Sequence, residues 1–137
     1  MPPILARCGY RCDLCLAYRP NIAAHPENAQ LLSDGWFKYF GFRIPPEKIN
    51  CPGCLSASAE TLDTGCPVRP CVVARGLETC AACPDYACEK LQERLVTFEN
   101  MEHKAGHAIM QTDRTNFILP YENRVRLEAL RAGKKQP

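Results

Sequence analysis

Ten cysteines stand in this 137-residue chain, and they fall into three blocks. Cys8, Cys12 and Cys15 lie in CGYRCDLC, Cys51 and Cys54 in CPGC, and Cys66, Cys71, Cys80, Cys83 and Cys88 in CPVRPCVVARGLETCAACPDYAC. Every block contains a Cys-x-x-Cys pair. Such a turn points two sulfurs at a common centre, and two turns, or one turn plus two further thiols, complete the tetrahedron that zinc prefers at sulfur distances of about 2.3 Å. All ten thiols are therefore candidate ligands, for more than one zinc ion. Two four-thiolate sites would leave two cysteines over, whereas sulfurs shared between metals would engage nearly all of them. Spacing does not fix which cysteines meet across blocks. A purely apolar role suits one or two buried cysteines, among Cys8, Cys66 and Cys71.

Other uses of the thiols are weaker. A disulfide framework needs an oxidising compartment. The N-terminal MPPILARCGYRC lacks a basic head followed by a long apolar run, so a secretory signal is not expected and the chain is placed in the cytoplasm with reduced thiols. Four thiolates also hold iron–sulfur clusters, which makes a redox protein or small enzyme the alternative. CGYRCDLC has the spacing used by radical enzymes that bind S-adenosylmethionine, but no βαβ alternation accompanies it. A third use is metal or sulfur handling, with exchangeable thiolates carrying a cargo.

Outside the cysteines, His103 and His107 are four apart with Glu99 one turn earlier, a spacing that offers a lesser candidate ligand set on one helical face. A solvated polar face is the simpler reading of them. Asp13, Asp63 and Asp85 each sit near a cysteine block, as turn residues, caps or hydrogen-bonding supports for a ligand. His25, ahead of Pro26, suits a cap or the surface. No phosphate-cradling glycine loop and no serine nucleophile motif is present, so the reading leans away from catalysis.

Helices must position these groups. From His25-Pro26-Glu27 onward, Ala29, Leu32, Trp36, Tyr39 and Phe40 recur at helical spacing, with Gly41 as the stop. Trp36, Phe37, Tyr39, Phe40 and Phe42 carry more aromatic surface than one face buries, and core packing is the expected use. Pro45 and Pro46 then lead the chain in extended form to Cys51, and SASAETLDTG (56–65) reads as an exposed loop. CPVRPC and CPDYAC share the pattern Cys-Pro-x-x-x-Cys; in the first, Pro70 delays the helix to its own position. Pro84 opens what should be the longest helix, with Ala87, Leu91, Leu95, Phe98, Met101 and Ala105 in one stripe, Cys83 and Cys88 at its start and Gly106 near its end. Pro120 and Glu122 begin a last helix through Leu127 and Leu130, stopped near Gly133.

The expected fold is mainly α, a small single domain of about four helices with cysteine-rich loops cross-linked by metal and little or no β-sheet. Its core spans about 4–110, with a C-terminal helix near 120–132 and a frayed tail over 133–137. A chain that is 46% hydrophobic and 23% charged has the balance of one globular domain. The formal charge is +2, with basic residues scattered from Arg7 to Lys135, which is no nucleic-acid footprint. Two tetrathiolate zinc sites would reverse its sign to roughly −2. No apolar run approaches the roughly 20 residues of a membrane span.

The ordered set CGYRCDLC, CPGCLS, CPVRPC and CAACPDYACEKL resembles the cysteine-rich prokaryotic family known as domain of unknown function 3795, over Cys8 to about Leu91. The resemblance implies that all ten cysteines occupy family cysteine positions and that the domain binds zinc or a similar metal. Many members carry a further cysteine in the loop before the third block, where SASAETLDTG has none. The expected function is that of a cytoplasmic, metal-binding domain with an interaction or regulatory role, acting through a protein partner rather than nucleic acid or membrane.

Overall fold

The apolar spacing of the first aromatic segment does build a helix. In the computed structural model, which describes residues 2–56 and 60–133, this is α2 (Asn28–Phe40), preceded by α1 (Arg19–Ala24). Leu32 and Trp36 face the core. At Gly41 the left-handed backbone turns its N–H onto the carbonyls of Trp36 and Phe37, closing the helix. Ser33 Oγ donates to the Ile44 carbonyl at 2.7 Å, which pins the returning chain to the helix. Mid-helix Gly35 is required by close approach: a Cβ there would lie 2.3 Å from the Phe117 ring.

After Pro45 the chain makes one 3-10 turn, Pro46–Lys48, where extended backbone was expected. Pro46 occupies the first position of that turn, where its missing N–H costs nothing. The same reasoning corrects the next helix. α3 (Val68–Ala74) starts two residues before Pro70, because a proline in the first turn loses no intrahelical bond. Residues 57–59 of the expected 56–65 loop lie outside the described residues, but its second half is not simply exposed: Thr61 is buried, and Asp63 accepts from Arg94 Nε at 2.8 Å and Nη2 at 3.0 Å.

The expected longest helix does not form. Pro84 to Ala87 is a turn, with Ala87 at a left-handed φ of 63°. Cys88 then caps the four-residue α4 (Glu89–Gln92), and a separate α5 (Phe98–Ala105) begins after Thr97, whose Oγ1 accepts from Asn100 N. The physical cause lies between them. Asn123 Oδ1 accepts the Val96 N–H at 2.8 Å, and Asn123 Nδ2 and Tyr10 Oη both donate to the Arg94 carbonyl. Tertiary partners thus satisfy the backbone that a continuous helix would have used. Cys83 stands after the 3-10 turn Cys80–Ala82 instead of at a helix start, and α2 is the longest helix among the described residues.

The chain continues through α6 (Gln111–Asp113), a π turn at Arg114–Ile118 and a 3-10 turn at Leu119–Tyr121 into α7 (Asn123–Arg131). The last helix falls where the sequence placed it, and residues 134–137 of the expected frayed tail lie outside the described residues. The architecture is mainly helical. The described residues contain seven α-helices rather than about four, and the β-type pairing is confined to the bridges Leu5–Arg11 and Tyr18–Cys51. No described helix is long and apolar enough to cross a membrane.

Two clusters form the interior. One gathers Leu32, Trp36, Ile49, Met101, Phe117, Ile118 and Tyr121. The other gathers Ala6, Cys8, Cys12, Val68, Val72, Cys80, Leu91 and Leu127. α2 packs on the π turn in the first cluster, and α7 packs on the Cys80–Ala82 turn in the second.

Candidate metal centres

The first and second cysteine blocks are zipped together by backbone. Cys51 N donates to the Ala17 carbonyl at 2.8 Å and Arg19 N to the Cys51 carbonyl at 2.9 Å, so the parallel bridge at Tyr18 brings CPGC beside CGYRCDLC. In the CPGC turn Gly53 adopts φ +99°, a conformation that favours glycine, and a Cβ on it would lie 3.2 Å from the Tyr18 ring and 3.9 Å from Cys12 Cβ. The turn aims its amides at sulfur: Gly53 N donates to Cys51 Sγ at 3.5 Å, and Cys54 N to Cys12 Sγ at 3.3 Å.

Hydrogen bonding and charge link four thiols of these two blocks. The Cys54 thiol, hydrogen-bonded to Cys12, holds Cys12 below the ordinary thiol range despite burial, and the same contact drives Cys54 far above it. Cys12 also feels the charges of Cys15 and Cys51, and Cys15 those of Cys51 and Cys54. Burial pushes Cys15 up to about 11, opposed by hydrogen bonds that include one to Tyr121 Oη, 3.0 Å from its sulfur. Tyr121 also accepts from Trp36 Nε1 at 3.1 Å. A quartet of Cys12, Cys15, Cys51 and Cys54 therefore backs directly onto the aromatic core.

The third block supplies a second quartet. Burial pushes Cys80 up to about 11, and the charges of Cys88, Cys83, Cys71 and Cys66 act in the same direction. Cys71, Cys80, Cys83 and Cys88 together line a cavity of about 20 Å³, enough for one water-sized body. Arg75, one turn after Cys71 at the C-cap of α3, donates from Nη1 to Cys83 Sγ at 3.1 Å and to Asp85 at 2.9 Å. Arg131 of α7 donates to the carbonyls of Ala81 and Cys83, clamping the same loop from outside.

Cys8 and Cys66 belong to neither quartet. Cys8 is buried, which drives its thiol far upward, and it feels Cys54 of the first quartet, Cys80 of the second, and Cys66. Cys80 N donates to the Arg7 carbonyl at 3.0 Å, fastening the third block to the first beside it. All ten cysteines are free thiols. Among the described residues no group of three or more His, Cys, Asp and Glu side chains converges in a geometry ready to hold a metal ion. The thiols are gathered by neighbourhood, and thiolate is the kind of donor that zinc and iron–sulfur clusters take.

The histidine set is not assembled. α5 ends at Ala105 with Gly106 in the left-handed region, so His107 lies past the helix and off the face that carries Glu99 and His103, with Nδ1 2.8 Å from the Ala108 carbonyl. His25 is at the surface, 3.3 Å from Glu27. Of the three aspartates, Asp13 takes the Ile4 N–H and both Arg11 donors, Asp63 holds Arg94, and Asp85 holds the arginine that touches Cys83. Sequence reasoning did not single out Arg75 or Tyr121. For Arg75 a signal existed, a basic residue at i+4 from Cys71 on a helix; for Tyr121 none did, since its partners are remote in sequence.

These features define a helical, cysteine-rich domain with its thiols in two neighbouring groups. Residues 4–93 match the family model described as "Protein of unknown function (DUF3795)", and the chain belongs to that family. The match contains all ten cysteines and ends at the turn before α5. No curated protein and no solved structure matches the chain.

Proposed function

We propose that the protein is a cytoplasmic metal-binding domain in which zinc, held by two thiolate quartets, fastens the three cysteine blocks together, and that the folded unit serves interaction or regulation rather than catalysis. The first quartet is Cys12, Cys15, Cys51 and Cys54; the second is Cys71, Cys80, Cys83 and Cys88. The observation that carries this reading is the CPGC turn, whose amides donate to Cys51 and Cys12 sulfurs. Such bonds stabilise thiolate over thiol, and thiolate is the form that metals bind. The cavity among the second four thiols and the Arg75 contact to Cys83 support the same chemistry there. Four-sulfur sites leave no open position for water, so the metal is structural and its binding free energy is folding free energy. Cys8, buried, and Cys66, half-buried, then stand outside both sites.

A strong chelator applied under reducing conditions should abolish the helical circular dichroism, and zinc should restore it. Unchanged helical signal after complete metal removal would overturn the reading. The same sample separates the iron–sulfur alternative, which requires a brown protein with acid-labile sulfide.

A further inference from the structure

Beyond the thiols, the molecule contains a cleft of about 500 Å³ on the aromatic side, within the size range of small-molecule sites. Its walls include Tyr10, Trp36, Phe40, Phe42, Met101 and Tyr121. The polar atoms of these walls are already used: Tyr121 Oη joins Cys15 and Trp36 Nε1, and Tyr10 Oη donates to the Arg94 carbonyl. A guest therefore meets ring faces and hydrocarbon there.

Four charged side chains border the cleft, Asp63, Glu93, Arg94 and Lys104. Arg94 and Asp63 neutralise each other in a two-pronged ion pair. Glu93 and Lys104 remain. Lys104 and the Asn100 side chain make no hydrogen bond or ion pair with any described residue, and they stand one turn apart on α5, both at the cleft. Lys104 and the Asn100 amide offer a charged and a neutral donor from one helix, Glu93 stands apart at the end of α4, and an apolar interior lies beside the α5 pair.

We propose that this cleft binds a small carboxylic acid with an aromatic or branched apolar body, the body among Trp36, Phe42 and Tyr121 and the carboxylate at Lys104 and Asn100. The proposal does not rest on the metal reading, since the contacts it names require no ion, although the Tyr121 wall also meets Cys15.

Trp36 is the sole tryptophan of the chain and stands in the cleft wall, so its fluorescence reports occupancy. The full chain, prepared anaerobically and reduced, would be titrated with 3-phenylpropionate, 3-phenylpropanamide and phenethylamine, with calorimetry in parallel. The expected order is acid well above amide, and amide above amine. Lys104→Ala, an exposed change, should weaken the acid about tenfold, the loss of one charge-assisted contact, and leave the amide unaltered. Phe42→Ala should weaken acid and amide alike. No saturable binding of the acid, equal binding of acid and amide, a preference for the amine, or an unchanged acid affinity in Lys104→Ala would each overturn the proposal.

Discussion

The cluster around Leu32, Trp36 and Tyr121 buries rings with branched side chains, whereas the cluster around Cys8, Cys12 and Cys80 buries three thiols among Ala6, Val68, Val72, Leu91 and Leu127 and has no ring among its buried members. In the first, edge-to-face contacts such as Phe40 with Tyr121 at 5.8 Å and Tyr10 with Tyr121 at 5.3 Å accompany close packing, and burial of that kind stabilises a fold without outside help. In the second, the elements are short: α3 has seven residues and α4 four, and the Pro84–Ala87 turn contains a left-handed alanine. Helices this short are not stable by themselves. One half of the molecule rests on ring packing, while in the other, where the elements are short, the proposed metal sites would add cross-links. Tyr10 joins them, since it packs against both clusters.

The sharpest way to separate the halves is a cysteine series. Cys12→Ala and Cys83→Ala should each remove one equivalent of bound zinc and most of the stability linked to it; structural zinc binding is worth on the order of 10 kcal/mol. Cys66→Ala, outside both quartets, should keep the full metal content and lose only about 1–2 kcal/mol. Metal analysis with chemical denaturation checks both statements, and equal loss of zinc in Cys66→Ala would break the proposed division. The converse change is Leu32→Ala in the aromatic cluster, where the side chain is fully buried. It should cost about 2–5 kcal/mol with zinc stoichiometry unchanged.

Helix α2 was legible because Ala29, Leu32, Trp36 and Tyr39 repeat at helical spacing and Gly41 marks an end; α7 was legible for the same kind of reason. The break after Leu91 was not. The stripe from Ala87 to Ala105 is helical in period, but Asn123 and Tyr10 claim the backbone at Arg94 and Val96 from elsewhere in the fold, and no local pattern reports that. The three cysteine blocks were legible as chemistry. Their grouping was not, because it follows from backbone contacts such as Cys51 with Ala17 and Cys80 with Arg7, which join residues far apart in sequence. His103 and His107 were misplaced on one face for a local reason, the helix end at Gly106 between them.

A smaller effect probes the collar that carries the first block. Burial pushes the Asp13 carboxyl upward, but hydrogen bonds from Arg11 and the Ile4 N–H, with the Arg11 charge, outweigh it and hold the group below the usual carboxylate range. A carboxyl depressed in the folded state contributes stability above its unfolded pKa of about 4, and that contribution is lost as pH falls through the folded value. Asp13→Asn should therefore be less stable than the parent at neutral pH by about 1–3 kcal/mol. The difference should shrink as the pH is lowered below about 4. Denaturation of both proteins across that window measures it, and a difference that stays constant with pH would contradict the role given to the Asp13 charge.

The most direct test of the account is elemental. The protein would be purified anaerobically from a bacterial host without added metal, then assayed for zinc, iron and acid-labile sulfide per chain alongside its visible spectrum. The account predicts about two zinc ions per chain, one for each quartet, a colourless sample and no sulfide. A folded, metal-free protein, or iron with sulfide and a brown colour, would contradict it.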